Sequence, residues 1–114
     1  MITFILNDAP YGTERSYNGL RIALSLSKKN EDVRVFLMGD AVFCGVANQQ
    51  TPNWYYNIGR MIKGLLKNGG EVYTWGSCGD ARGVSEEGLI EGVIKSDLEK
   101  STNLIQESSQ SLVF

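Results

Sequence analysis

Short apolar runs alternate along this chain with segments of helical periodicity, and that alternation restricts the fold more than any other feature. Ile2 to Leu6 suits a strand buried on both faces. Asn7-Asp8-Ala9-Pro10-Tyr11-Gly12 interrupts it with turn chemistry. Thr13 is placed to cap a helix, with Glu14 in its positive first turn. Tyr17, Leu20, Ala23, Leu24 and Ser27 form one stripe of that helix, which ends around Lys28-Lys29-Asn30. Val33 to Met38 reads as the second strand. Gly39-Asp40 closes it and opens a short helix over Ala41 to Ala47, followed by the polar loop Asn48 to Pro52. Ile58, Met61, Ile62, Leu65 and Leu66 then recur at i, i+3, i+4, i+7, i+8, the clearest helical pattern in the chain. Asn68-Gly69-Gly70 stops it, and Glu71 to Trp75 is the third strand.

Beyond Gly83, Leu89-Ile90 and Val93-Ile94 are interrupted by Gly88 and Gly92, which leaves helix or short strand open. Ser96-Asp97-Leu98-Glu99 has the form of a capping box opening a last helix striped by Leu98, Thr102 and Ile105. Ser111 to Phe114 reads as a final short strand. Strands alternating with helices imply an α/β fold, a mostly parallel sheet of about five strands covered on both faces. At 114 residues the whole chain, 1–114, forms one domain, enough to bury roughly two-thirds of its unfolded surface.

Composition removes several function classes. The formal charge is −2 with Lys and Arg scattered, so no basic stripe exists to track nucleic acid. The N-terminal apolar run is too short for a signal peptide and no stretch approaches membrane-spanning length, so the expectation is a cytoplasmic protein without a membrane partner. The chain has no histidine, which excludes Ser-His-Asp and Cys-His catalysis and His-based metal sites. Its two cysteines, Cys44 and Cys78, cannot build a Cys-rich metal site and form no C-x-x-C pair. Neither a P-loop nor a G-x-G-x-x-G fingerprint is present, so no cofactor or metal is expected.

What chemistry remains is concentrated in Ser77-Cys78-Gly79-Asp80-Ala81-Arg82-Gly83. A cysteine at a strand exit, flanked by glycines and four residues from an arginine, is a common way to present a reactive thiolate. Exposed amides and a nearby cation favour the charged sulfur, while a small buried hydrophobe is the competing reading. In parallel α/β sheets the ligand crevice lies at the carboxyl ends of the strands. That rule gathers Asn7 to Thr13, Gly39 to Cys44 and Gly76 to Gly83 at one rim. Asn7, Tyr11 and Asp40 are candidate binding residues there, each with turn or cap duty as the alternative. Gly79 and Asp80 join them, Asp80 in a structural role within the loop. Arg82 either stabilises the Cys78 thiolate or pairs with Asp80 or Glu86. Cys44, beside Val42, Phe43 and Val46, is expected to be buried, with a redox partnership with Cys78 as the alternative. Trp54-Tyr55-Tyr56 belongs either to the core or to a subunit interface.

Several of these segments together carry a family resemblance. Asn7-Asp8-Ala9-Pro10-Tyr11-Gly12-Thr13-Glu14, Val35 to Val42, Tyr56-Asn57-Ile58, Cys78 to Gly83 and Leu89 to Val93 run in order nearly end to end. With them the chain resembles the DsrE/DsrF/TusD-like sulfur-relay family, most closely its small YchN-like branch. The resemblance implies a Rossmann-like three-layer sandwich and a homotrimer or homohexamer. It also implies sulfur carried as a persulfide on Cys78 between donor and acceptor proteins. Two other functions stay open: a non-catalytic module binding a small anion or nucleotide at the same rim, and a thiol redox sensor using Cys44 and Cys78.

Overall fold

The computed structural model describes residues 1–114. Five strands, β1 (Ile2–Leu6), β2 (Val33–Leu37), β3 (Glu71–Trp75), β4 (Ile94–Ser96) and β5 (Gln110–Val113), form one sheet in the order β4-β3-β2-β1-β5. Every pairing is parallel. The helices are α1 (Arg15–Lys28), α2 (Ile58–Lys67), α3 (Gly76–Ala81) and α4 (Leu98–Glu107), joined by short 3₁₀ segments at Gly39–Gly45, Pro52–Trp54 and Glu86–Gly88.

Alternation along the strands decides what each face meets, because successive side chains point to opposite sides. Ile2, Phe4 and Leu6, with Val33, Val35, Leu37 and Val72, face α1 and α2 and pack on Leu20, Ala23, Ile58, Ile62 and Leu65. Phe36 and Tyr73 face the other way and are covered by Leu104 of α4. The α2 stripe expected from periodicity is the buried one: Ile58, Ile62 and Leu65 are inside, and Met61 and Leu66 are partly covered.

Local details depart from the expectations in instructive ways. Of the ambiguous stretch after Gly88 only its last residue is strand: β4 begins at Ile94 and is three residues long, while Leu89 makes a single antiparallel bridge with Val46. The last helix is capped by Asp97, whose carboxylate accepts the Lys100 N–H at 3.0 Å, rather than by Ser96. Ser96 cannot serve, since it is still paired with Trp75 at the end of β4. Helix α1 starts at Arg15 with Glu14 as its cap residue and no side-chain cap. The Thr13 hydroxyl instead donates to Asp8 at 2.6 Å and accepts the Arg15 N–H at 3.3 Å.

The N-terminus of α2 is closed by three side chains. A helix leaves its first N–H groups without intrahelical partners, and burying them unpaired is costly. Here the Ile58 N–H meets the Tyr11 hydroxyl at 3.1 Å, the Gly59 N–H meets Gln49 Oε1 at 3.1 Å, and the Arg60 N–H meets Asn57 Oδ1 at 2.8 Å. The Tyr11 hydroxyl also donates to Gln49 Oε1 at 2.5 Å. Tyr11 adopts φ +68, a conformation disfavoured for a bulky residue, and these contacts hold it there. Tyr11→Phe therefore leaves a buried N–H and a glutamine oxygen short of a partner. Equilibrium urea unfolding should show a loss of about 1–3 kcal/mol with the far-UV spectrum preserved; an unchanged midpoint would contradict the capping role.

Candidate functional site

Cys78 is the third residue of α3, which begins at Gly76 with no loop after β3. The expected strand-to-loop exit is thus a strand-to-helix joint. Gly76 makes the joint possible, since a Cβ there would stand 2.9 Å from Lys95 Cε and 3.1 Å from the Ser96 carbonyl on neighbouring β4. Glycine alone lets the two backbones approach this closely. The helix closes on Gly79, whose carbonyl accepts the N–H groups of Arg82 and Val84 at 3.0 and 2.9 Å. Cys78 itself is half-buried and its thiol is free.

Arg82 ties this helix to the neighbouring rim segment. Its Nε donates to Asp40 Oδ1 at 2.8 Å and its Nη1 donates to the Cys78 carbonyl at 3.1 Å. Neither Asp80 nor Glu86 takes the guanidinium: Asp80 pairs with Lys95 Nζ at 2.9 Å and raises the ammonium above its ordinary range. The third rim segment meets the other two at Gly39. At φ +54, a Cβ on Gly39 would lie 3.8 Å from the Asn7 carbonyl and 3.9 Å from Arg82 Nη2. The ends of β1, β2 and β3 therefore converge on one small region.

The candidate residues divide within it. Cys78, Gly79 and Asp80 lie on α3, Arg82 is its C-cap, and Asp40 is held to it through Arg82. Asn7 is at the same rim, but its side chain donates to the Phe114 carbonyl at 3.2 Å. The Tyr11 hydroxyl is engaged at α2. Two residues escaped the sequence reading. Lys95 lies fifteen positions from Asp80 on a strand whose existence was open, so no local signal linked them. Gln49, in a polar loop, joins Tyr11 to α2 and donates to the Cys44 and Val46 carbonyls.

Cys44 is fully buried in the 3₁₀ segment after β2, with its sulfur 3.8 Å from the Asp8 carbonyl. Burial pushes its thiol up from 9.0 to about 12, against a smaller lowering by the Ser16 hydroxyl. Such a thiol stays protonated and unreactive near neutrality. Both cysteines are free. The aromatic triplet is neither core nor uniform surface. Tyr56 folds back on Tyr17 with ring centroids 4.4 Å apart and donates to Glu14 at 2.6 Å, whereas Trp54 and Tyr55 are 60% and 78% exposed.

Comparison with known proteins agrees with this architecture. A sequence profile of the DsrE/DsrF-like family matches residues 1–114. An uncharacterised protein of Methanopyrus kandleri is 38% identical over 114 residues, covering 100% of this chain and 93% of that one. Protein YchN of Escherichia coli is 42% identical over 94 residues, covering 81% and 80%. The crystal structure of the E. coli ychN protein superposes with a TM-score of 0.93 at 36% identity, over 99% of this chain and 97% of that one. A TusC homolog of Aliivibrio fischeri is 25% identical over 115 residues, covering 97% and 96%. With a family profile matched over its whole length and a superposition on the ychN structure over 99% of the chain, the chain belongs to the DsrE/DsrF-like family.

Proposed function

We propose that this protein is a sulfur-relay component that accepts and passes on sulfur at Cys78. The observation that carries the reading is the position of Cys78, half-buried at the carboxyl end of a parallel strand and bridged through Arg82 to Asp40. Family membership supports it. In the forward step the Cys78 thiolate attacks the outer sulfur of a donor persulfide, R–S–SH. The donor S–S bond breaks, R–S⁻ leaves, and Cys78–S–SH forms. An acceptor thiolate then attacks that outer sulfur, takes it as its own persulfide, and returns Cys78 as thiolate. Each step is a thiol–disulfide type exchange with no net oxidation, so neither a histidine nor an external oxidant is required. Arg82 is the positioning residue, holding the Cys78 backbone while bringing a cation to the rim where anionic sulfur arrives and leaves. Donor and acceptor are proteins carrying accessible thiols.

The redox-sensor alternative requires Cys44 to react, and its complete burial and raised thiol argue against that. Self-association into a homotrimer or homohexamer completes the proposal. Both sheet edges, β4 and β5, are open, and Tyr55, Leu98 and Val113 expose 78%, 59% and 66% of their surface. Unpaired strand edges and exposed apolar side chains are features a subunit contact would cover.

Three measurements check these points. Intact mass after incubation with a persulfide donor should rise by one sulfur in wild type and Cys44→Ser, reversibly with reductant, and stay unchanged in Cys78→Ser. A gain retained in Cys78→Ser, or a loss of two hydrogens in wild type, would refute the assignment. Arg82→Ala should slow that gain, by about tenfold or less because exchange follows thiolate stabilisation with a Brønsted slope of roughly 0.4–0.5. Arg82→Lys should recover part of the rate, restoring the charge without the two-point bridge; equal rates in all three proteins would remove Arg82 from the mechanism. Light scattering at micromolar concentration should give three or six times the 12.6 kDa chain mass, and a monomer would overturn the assembly.

A further inference from the structure

A cavity whose lining does not include Cys78 opens beside α2. It is a groove of about 430 Å³ between the loop after residue 45 and the first turns of α2, with Ile90 in its wall. That volume falls within the roughly 300–1,000 Å³ typical of small-molecule sites. Arg60 and Lys63 project into it one turn apart on α2, and neither belongs to any ion pair. Two unpaired cations side by side on a chain of net charge −2 are a local attractor for one small anion. The α2 backbone cannot hold that anion, because Tyr11, Gln49 and Asn57 already occupy its first N–H groups. The anion must therefore meet the side chains.

The rest of the groove suits a flat, polar-edged ring. Trp54 lines it and is 60% exposed, held outward by consecutive left-handed residues, Asn53 at φ +53 and Trp54 at φ +60. Non-glycine residues rarely adopt this conformation, and two in succession mark strain retained at a surface loop. The side-chain amides of Asn48 and Gln50 also line the groove, and neither has a hydrogen-bond partner within the chain. An adjoining recess of about 350 Å³ shares Lys63 and is lined by Glu91, so negative charge is disfavoured there and favoured towards Arg60.

We propose that this groove binds a mononucleotide, its base stacked on Trp54 and met at its edge by Asn48 and Gln50, and its phosphate held by Arg60 and Lys63. Aromatic faces accept any base, while amides read base edges. Two cations match a single phosphate and are too few to follow a polynucleotide backbone. The site is separate from Cys78, so it stands or falls independently of the sulfur-relay reading.

Titration calorimetry of the full chain with AMP and UMP tests it. At least one nucleotide should bind saturably with a dissociation constant below about 1 mM. Adenosine, uridine and inorganic phosphate should each bind at least about tenfold more weakly, since each supplies half of the contacts. The double variant Arg60→Ala/Lys63→Ala and the single variant Trp54→Ala should each weaken nucleotide binding by about tenfold or more, with Cys78 sulfur acceptance and melting temperature retained. No saturable heat from either nucleotide in the wild type would overturn the proposal. So would phosphate binding as tightly as the nucleotides, binding indifferent to the variants, or an oligoadenylate bound more tightly than AMP. A change of oligomeric mass in Trp54→Ala would assign the groove to a second copy of the chain and overturn it equally.

Discussion

Burial of one face of β1, β2 and β3 beneath α1 and α2 is the constraint on which the other features rest. Phe4, Leu6, Val35, Leu37, Ile62 and Leu65 are fully inaccessible, and each such side chain contributes about 1.5–3 kcal/mol when removed from water. The same packing sets the strand register, because a one-residue slip would turn the apolar side chains out of the core. In that register Leu6, Leu37 and Thr74 stand in a row across the sheet. Asn7, Met38 and Trp75 follow them, which is why three loops far apart in sequence arrive at one rim. The candidate site is a consequence of where three apolar runs end.

Two polar seams then organise the rim, and they do different work. Asp40, Arg82 and the Cys78 carbonyl form one. Its ion pair is partly exposed, so it is worth little in stability, about 1 kcal/mol or less, and acts chiefly by restricting where α3 lies. Tyr11, Gln49 and Asn57 form the other, at the buried start of α2. There the cost of unpaired amides makes each hydrogen bond structural. A tyrosine in a left-handed conformation is retained because its hydroxyl satisfies a donor that nothing else reaches. The two cysteines show the same contrast in chemical form. Cys44 is sealed under Asp8 and stays a thiol, while Cys78 reaches the surface.

The periodic elements were legible from residue order because periodicity records which side of an element is apolar. The α2 stripe, the first three strands and the turn chemistry at Asn7 and Asn68 all have that local origin. Elements whose identity depends on a neighbour were not legible. β4 is three residues of mixed polarity and exists as a strand only by pairing with Tyr73 to Trp75. Once Ser96 is held in that pairing, the helix cap passes to Asp97. The chain at Cys78 turns helical rather than forming a loop because Gly76 allows β3 to be followed at once by α3 against β4.

By itself the sequence determined an alternating α/β chain with Cys78 just past its third strand, and a histidine-free chemistry confined to thiol, carboxylate, tyrosine and cation. Only the tertiary structure decided the partners. Arg82 has carboxylates at Asp80 and Glu86 nearby in the chain, yet it bonds Asp40, forty-two residues away. Lys95 claims Asp80 from the adjacent strand. Helical and strand periods specify faces within single elements; strand order and register specify which side chains from different elements come within bonding distance. Those are properties of the packed sheet, fixed by the burial of its shared apolar face.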